Sequence, residues 1–216
     1  MNMNASLLQG LVRDKNSSLY HGLVLGLFYL GFGLALAITN WLTEKDIAAR
    51  ALEDRQNSLA AVIPDNIHDN NPVLDTITMP SPHGEELTVY RATKNGQVTG
   101  VAYEISGVGY AGKIKLMLGV DRDGRVLGVR ALAHKETPGL GDWIEAKKGD
   151  WILGFNGLSL GNPPIEKWKV KKDGGRFDQF SGATITPRGV VGAIREGLTF
   201  FDAHQQQMTQ PTSEVR

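Results

Sequence analysis

Cysteine is absent from this 216-residue chain, which excludes disulfides, iron–sulfur clusters and thiolate zinc sites together. Excess charge is absent too, since 23 lysines and arginines balance 23 aspartates and glutamates. A neutral chain without a basic stripe offers nucleic acid no electrostatic footprint, so no nucleic-acid partner is expected. The five histidines, at 21, 68, 83, 134 and 204, lack metal-ligand spacing and form no readable catalytic triad. Repeats and low-complexity tracts are missing apart from a polar tail after His204. What is there is 41% hydrophobic residues, enough for one packed domain, and 26 glycines, which point to many turns.

Long apolar runs are scarce, with one exception. Residues 19–38, LYHGLVLGLFYLGFGLALAI, carry no formal charge. As a helix this run rises about 30 Å, the thickness of a bilayer's hydrocarbon core. Tyr20 and Trp41 flank it at headgroup depth. It is too long for a signal-peptide core, and no small-x-small cleavage site follows. A transmembrane helix held in membrane lipid is therefore expected over residues 19–42, after a segment 1–18. Gly22 and Gly26 form a small-xxx-small pair that lets another helix approach. Lysines and arginines are few on both sides, which leaves the orientation open.

The remainder reads as an α+β domain: a twisted antiparallel sheet with flanking helices. Residues 43–62 have helical spacing and a candidate cap at Thr43, and they open a helical and loop connection over 43–86. Turn formers fill 63–73, and Pro80 and Pro82 are expected to keep 79–87 out of regular structure. From Leu87 the pattern alternates, with hairpin turns at Lys94-Asn95-Gly96 and Asp123-Gly124. Residues 139–152 read as a helical stretch. A last helix is expected from Pro187 to about His204, closing a domain over 87–204 before a polar tail at 205–216.

Gly107-Val-Gly-Tyr-Ala-Gly-Lys113 matches the glycines and lysine of a phosphate-binding loop. Such a loop needs a helix start and a following Ser or Thr, whereas Ile114 and an apparent strand follow here. A glycine-rich hairpin connection is the better reading. More informative is Asp178-Gln-Phe-Ser-Gly-Ala-Thr-Ile-Thr-Pro187. Thr186 reads as an N-cap with Pro187 as first helical residue, and Val190, Val191, Ile194, Leu198 and Phe201 as the buried face. Gly182 and Ala183 leave the backbone open, and an anion near Thr184 would meet the free N–H groups of a helix start. A plain capped helix after a tight turn explains the same residues.

D-x-x-S-G-A-T resembles the flavinylation sequence of bacterial membrane redox complexes. There a dedicated flavin transferase joins the final threonine hydroxyl to the phosphate of FMN, with FAD as donor. His134-Lys-Glu-Thr-Pro-Gly-Leu-Gly-Asp142 matches a second signature loop, and Trp168-Lys-Val-Lys-Lys-Asp-Gly-Gly175 fits the lead-in. With the amino-terminal anchor, nearly the whole chain resembles the family of G subunits of the Rnf electron-transport complex. It is more distantly similar to the C subunits of the sodium-translocating NADH:quinone oxidoreductase. The resemblance implies an electron-relay subunit, not an enzyme alone, in an ion-translocating ferredoxin:NAD oxidoreductase, with the other Rnf subunits as partners. It implies a bacterial inner-membrane location, the amino terminus inside and the flavin domain in the periplasm. It makes Thr184 the carrier of covalent FMN, with Ser181, Gly182, Ala183 and Thr186 shaping the turn. Glu136, Thr137, Pro138, Gly139 and Leu140 are then expected at the flavin ring. Asp178 serves attachment or is a solvated turn residue; Lys169 neutralises the cofactor or is a surface charge; His134 is functional or structural. The rival is a membrane-anchored scaffold or sensor with no redox-active flavin.

Overall fold

The computed structural model describes residues 18–81 and 84–210. Most of the expected segment 1–18, together with Pro82, His83 and the tail from 211 onward, lies outside those residues. The chain divides into two units, Met1–Glu53 and Asp54–Arg216.

In the first unit the described residues belong to helix α1, Ser18–Ala60. Its stretch Tyr20–Lys45 is long and apolar enough to cross a membrane, and Leu27, Phe28, Leu30 and Trp41 point outward. An outward-facing apolar surface on every side is what lipid, not water, stabilises.

In the second unit five antiparallel strands follow in simple meander order: β1 Thr76–Pro80, β2 Glu86–Lys94, β3 Gln97–Val108, β4 Lys113–Asp121 and β5 Val126–Ala133. The turns are those their residues demand. Asn95 and Gly96 both take positive φ, 52° and 75°, in the two-residue β2–β3 turn. Gly124 at φ 80° closes β4–β5, where the Asp121 carboxylate accepts the N–H groups of Asp123 and Arg125. Helix α2, Ile185–Thr209, packs on one face of the sheet. Period-two alternation sends Val89, Val101, Tyr103, Leu116 and Leu118 toward it, while Tyr90, Ala92, Ala102 and Met117 meet Leu59, Val62 and Ile63 on the other face. The paired Gly119 and Gly128 admit the Val62 backbone there; a side chain at either would collide with it.

Three expectations need correction. Residues 76–80 form strand β1 although Pro80 ends it; the proline sits on the sheet edge, where its missing N–H costs no ladder bond. Residues 139–152 are not one helix but two 3-10 segments, Gly141–Ile144 and the start of Trp151–Phe155. Gly139 adopts φ 78° and Asp142 turns its carboxylate back onto the Gly139 N–H, at 2.8 Å, which breaks the run. Finally, α2 begins at Ile185 and continues to Thr209 because Met208 is wholly buried and Gln205 donates to the Arg122 carbonyl at 2.6 Å.

Candidate functional site

Four segments, the last two of them adjacent in sequence, converge at the start of α2. The first is the β3–β4 connection, residues 107–113, which is the hairpin its glycines suggested: Gly109 N–H donates to Gly112 O at 2.8 Å, and Gly112 has φ 123°. Gly107 and Gly189 let this hairpin and α2 touch backbone to backbone; a side chain at Gly189 would strike the Val108 carbonyl.

The second segment is the loop from His134 to Asp142. Glu136 is buried, and its carboxylate accepts the Ala111 N–H at 3.0 Å and the Thr186 hydroxyl. Its backbone N–H donates to His134 Nδ1, and His134 Nε2 lies 3.2 Å from Glu145 Oε1. Lys148 bridges Glu145 and buried Asp142, at 3.1 and 2.5 Å. That bond from Lys148 is the first cause holding the Asp142 carboxyl below the usual carboxylate range; burial works against it, and the Gly139 N–H adds to it. Thr137, Pro138, Gly139 and Leu140 are exposed at the top of this loop. The Thr137 carbonyl accepts the N–H groups of Leu140 and Gly141, so the loop is a compact turn.

The third segment is the turn Phe180–Ala183, closed by Ala183 N–H to Phe180 O at 3.2 Å, with Gly182 at φ 76° and Ser181 exposed. Beneath it lies an aromatic cluster. Phe180 packs edge-on against Trp151, with ring centres 5.0 Å apart, and Trp151 meets Phe155, which stacks on Phe177 at 4.6 Å. Trp151 Nε1 also donates to the Asp178 carbonyl. Such packing makes the turn a fixed platform. The turn and the second loop meet directly: Leu140 Cδ2 lies 3.7 Å from where a Cβ on Gly182 would stand.

The fourth segment is the start of α2. Thr184 is half-buried, in helical backbone conformation (φ −71°, ψ −29°), and its hydroxyl makes no capping bond and no hydrogen bond to any described residue. Thr186, expected as the cap, is instead wholly buried in the first turn, its hydroxyl taken by Glu136. Thr186 does not cap because the helix already begins at Ile185, which leaves its hydroxyl free to donate to the buried carboxylate. The N–H groups of Ile185 and Thr186 have no intrahelical acceptor.

The remaining expected residues lie apart from this convergence. Asp178 is exposed and paired with Lys171 at 2.6 Å. Lys169 is exposed, while its backbone packs on Gly175, where no side chain fits. Asp173 accepts two 2.6 Å bonds from Arg188, which hold its carboxyl below the usual range, with the charges of Lys172 and Lys169 adding to the effect. Sequence reasoning missed Ala111, Gly109, Trp151, Phe180 and Arg188. Only the doubled glycines of the hairpin gave a signal for any of them.

The set fits a flavin phosphoester: an unengaged hydroxyl at an open helix start, a left-handed glycine beside it, and exposed apolar side chains close by in Leu140 and Ile185. Comparison with known proteins supports an FMN-binding domain here. Residues 109–199 match the model of the FMN-binding domain. The G subunit of the ion-translocating oxidoreductase complex of Cereibacter sphaeroides (strain ATCC 17023) is 50% identical over 94% of this chain and 93% of its own. The protein of the same name from Stutzerimonas stutzeri is 44% identical over 91% and 86%. The crystal structure of Shewanella oneidensis NqrC covers 70% of this chain and 73% of its own, at 24% identity and a TM-score of 0.47. Half the residues are shared with a relative over nearly its whole length, and the flavin-domain match lies across the convergent loops. The chain therefore belongs to the family of G subunits of ion-translocating oxidoreductase complexes, and it has both an FMN-binding domain and an apolar helix long enough to cross a membrane.

Proposed function

We propose that this chain is the electron-relay subunit of a membrane-bound, ion-translocating ferredoxin:NAD oxidoreductase complex and carries FMN as a phosphoester on Thr184. The observation that carries this reading is the Thr184 hydroxyl, half-buried and unengaged at an open helix start while its neighbour Thr186 is fully committed. In attachment, Thr184 Oγ forms a bond to the FMN phosphorus of FAD, the pyrophosphate bond breaks, AMP leaves, and the hydroxyl proton passes to the transferase. Bound FMN supplies one-electron transfer between carriers that the polypeptide cannot perform.

The chain's own residues hold and shield. The free N–H groups of Ile185 and Thr186 and the helix dipole favour a phosphate at Thr184. Ser181, Gly182 and Ala183 keep the approach open, and the turn over Thr137–Leu140 offers Gly139 and Leu140 to the ring. Asp178 lies at the surface, where a transferase or its magnesium reaches it, and Lys169 adds positive charge on the same side as Asp173. His134 positions the loop. A tether suits a domain outside the cytoplasm, where free FMN to replace a lost cofactor is scarce. Partners are the other subunits of the complex and, during maturation, the flavin transferase. Residues 43–86 lead from the 19–42 anchor into the domain at 87–204, to whose sheet they contribute β1.

The test is coexpression of the full chain with a flavin transferase, followed by denaturing electrophoresis. Wild type is expected to give a fluorescent band and Thr184→Val none, with Thr184→Val still folded and inserted in the membrane. A scaffold or sensor without flavin gives no band from either, and a band from Thr184→Val contradicts the assignment. Orientation has its own test: a reporter active only in the periplasm, fused after Arg216, is expected to be active, and activity of a cytoplasm-only reporter there contradicts the topology.

A further inference from the structure

The hairpin 107–113 resembles a phosphate loop yet lacks the helix such a loop needs. In the structure it nonetheless grips an anion, and the anion belongs to the protein. Glu136 is 6% exposed, with the Ala111 N–H on Oε1 and the Thr186 hydroxyl on Oε2. A Cβ on Gly109 would collide with Oε1, and a Cβ on Gly141 would stand 2.7 Å from Oε2. Neither glycine has positive φ, and both leave room for the carboxylate between them, with Ile114 beside Gly109 and the Thr186 hydroxyl beside Gly141. Concave backbone that presents N–H groups is a general anion receptor, and here it is already filled.

We propose that Glu136 is a positioning residue, a buried clasp that sets the flavin-bearing helix start, the 136–141 loop and the β3–β4 hairpin in one fixed arrangement. Its two donors come from two different elements and its main chain from a third, so no pair of the three can shift without breaking a bond. Thr186 lies two residues from Thr184, on the same first turn of α2, so its anchorage fixes where Thr184 stands. At the other end of the loop, Asp142 holds Gly139, and Leu140 is kept beside Gly182. A half-satisfied buried network of this kind is costly, which is why all three members act together. The carboxylate is needed for its two acceptors. The Ala111 N–H can only donate, whereas the Thr186 hydroxyl can donate or accept. Glutamine therefore preserves the clasp after the hydroxyl rotates, and alanine destroys it. Glutamine also removes a buried negative charge that opposes adding an electron nearby.

The last step, from a fixed loop to a fixed ring, rests on the covalent-flavin reading; the clasp itself does not. Two backgrounds separate them. In the full chain carrying Thr184→Val, amide exchange reads the clasp without flavin: Glu136→Ala is expected to speed exchange at Ala111 about tenfold, the loss of roughly one hydrogen bond, while Glu136→Gln leaves it protected. In the flavinylated full chain, Glu136→Ala is expected to lower flavin fluorescence anisotropy and shift the midpoint potential. Glu136→Gln is expected to keep the anisotropy and raise the potential. Unchanged exchange at Ala111 in Glu136→Ala, or wild-type potential and anisotropy in flavinylated Glu136→Ala, overturns the proposal. If Glu136→Ala does not fold, Thr186→Val decides, since it removes one of the two donors; unchanged exchange at Ala111 together with wild-type anisotropy in that variant overturns the positioning role. Absence of covalent flavin from wild type sinks the flavin reading and leaves the exchange test standing.

Discussion

Helix α2 is held at its two ends by opposite kinds of polar cluster. At its C-terminus buried Arg91 donates to the Gln210 carbonyl at 3.0 Å and to the Asp75 carboxylate, while Asn70 donates to Asp75 at 3.1 Å. That cluster is complete: it ties β1, β2 and the helix end together and places a cation where the helix dipole favours one. At the N-terminus Glu136, Thr186 and Asp142 are buried in hydrogen bonds, yet beside them stand an unengaged hydroxyl on Thr184 and the exposed Leu140 and Ile185. Both clusters cost desolvation. Only the second surrounds a group with nothing to do inside the protein, and that asymmetry separates a structural polar cluster from a site.

The largest effect that sharpens the contrast is at Arg91. Arg91→Ala strands Asp75 without its cation and is expected to cost about 3–5 kcal/mol in urea unfolding. Flavin per folded molecule should stay at the wild-type level, whereas a loss of flavinylation in the folded fraction would erase the distinction between the two ends. Next come two glycines of α2. Gly189→Ala drives a methyl into the Val108 carbonyl and is expected to cost about 1–3 kcal/mol. Gly192→Ala meets nothing and is expected to gain roughly 0.5–1 kcal/mol through helix propensity. Equal effects at the two would mean that close contact of hairpin and helix does not hold the site. The smallest effect is acid loosening of the 136–148 loop. The Asp142 carboxyl, held low first by Lys148, stabilises the folded loop above the unfolded value near 3.9 and loses that contribution as pH falls through its depressed folded value. Fluorescence of Trp143 should therefore change below about pH 4, and Asp142→Asn should flatten that change; a transition between pH 5 and 7 would place the responsible group elsewhere.

Much of this architecture was legible locally. Asn95-Gly96 and Asp123-Gly124 fixed two hairpins because positive φ is a property of a residue and its neighbour, and Pro187 with its apolar spacing marked α2. The strand at 76–80 was hidden by Pro80, whose harmlessness depends on an edge position that no local pattern reveals. Thr186 misled for a related reason. Thr-Pro is a sound capping signal, but the helix begins one residue earlier, at Ile185, and the Thr186 hydroxyl is turned inward to donate to Glu136, fifty residues away. The same separation hid the role of the glycine hairpin. Residues 139–152 resembled a helix by apolar spacing alone, while Gly139 and the back-turned Asp142 decided otherwise. What the sequence marked about the site was the turn from Ser181 to Thr184; what it concealed was the tertiary frame.

The central claim is that Thr184, and not its neighbours, carries the cofactor. Peptide mass mapping of the wild-type chain coexpressed with a flavin transferase tests it most directly. The expected result is the added mass of one FMN, less water, on the peptide spanning Asp178–Arg188, with fragment ions placing it on Thr184. The same mass on Ser181 or Thr186, or a peptide wholly without it, would contradict that claim.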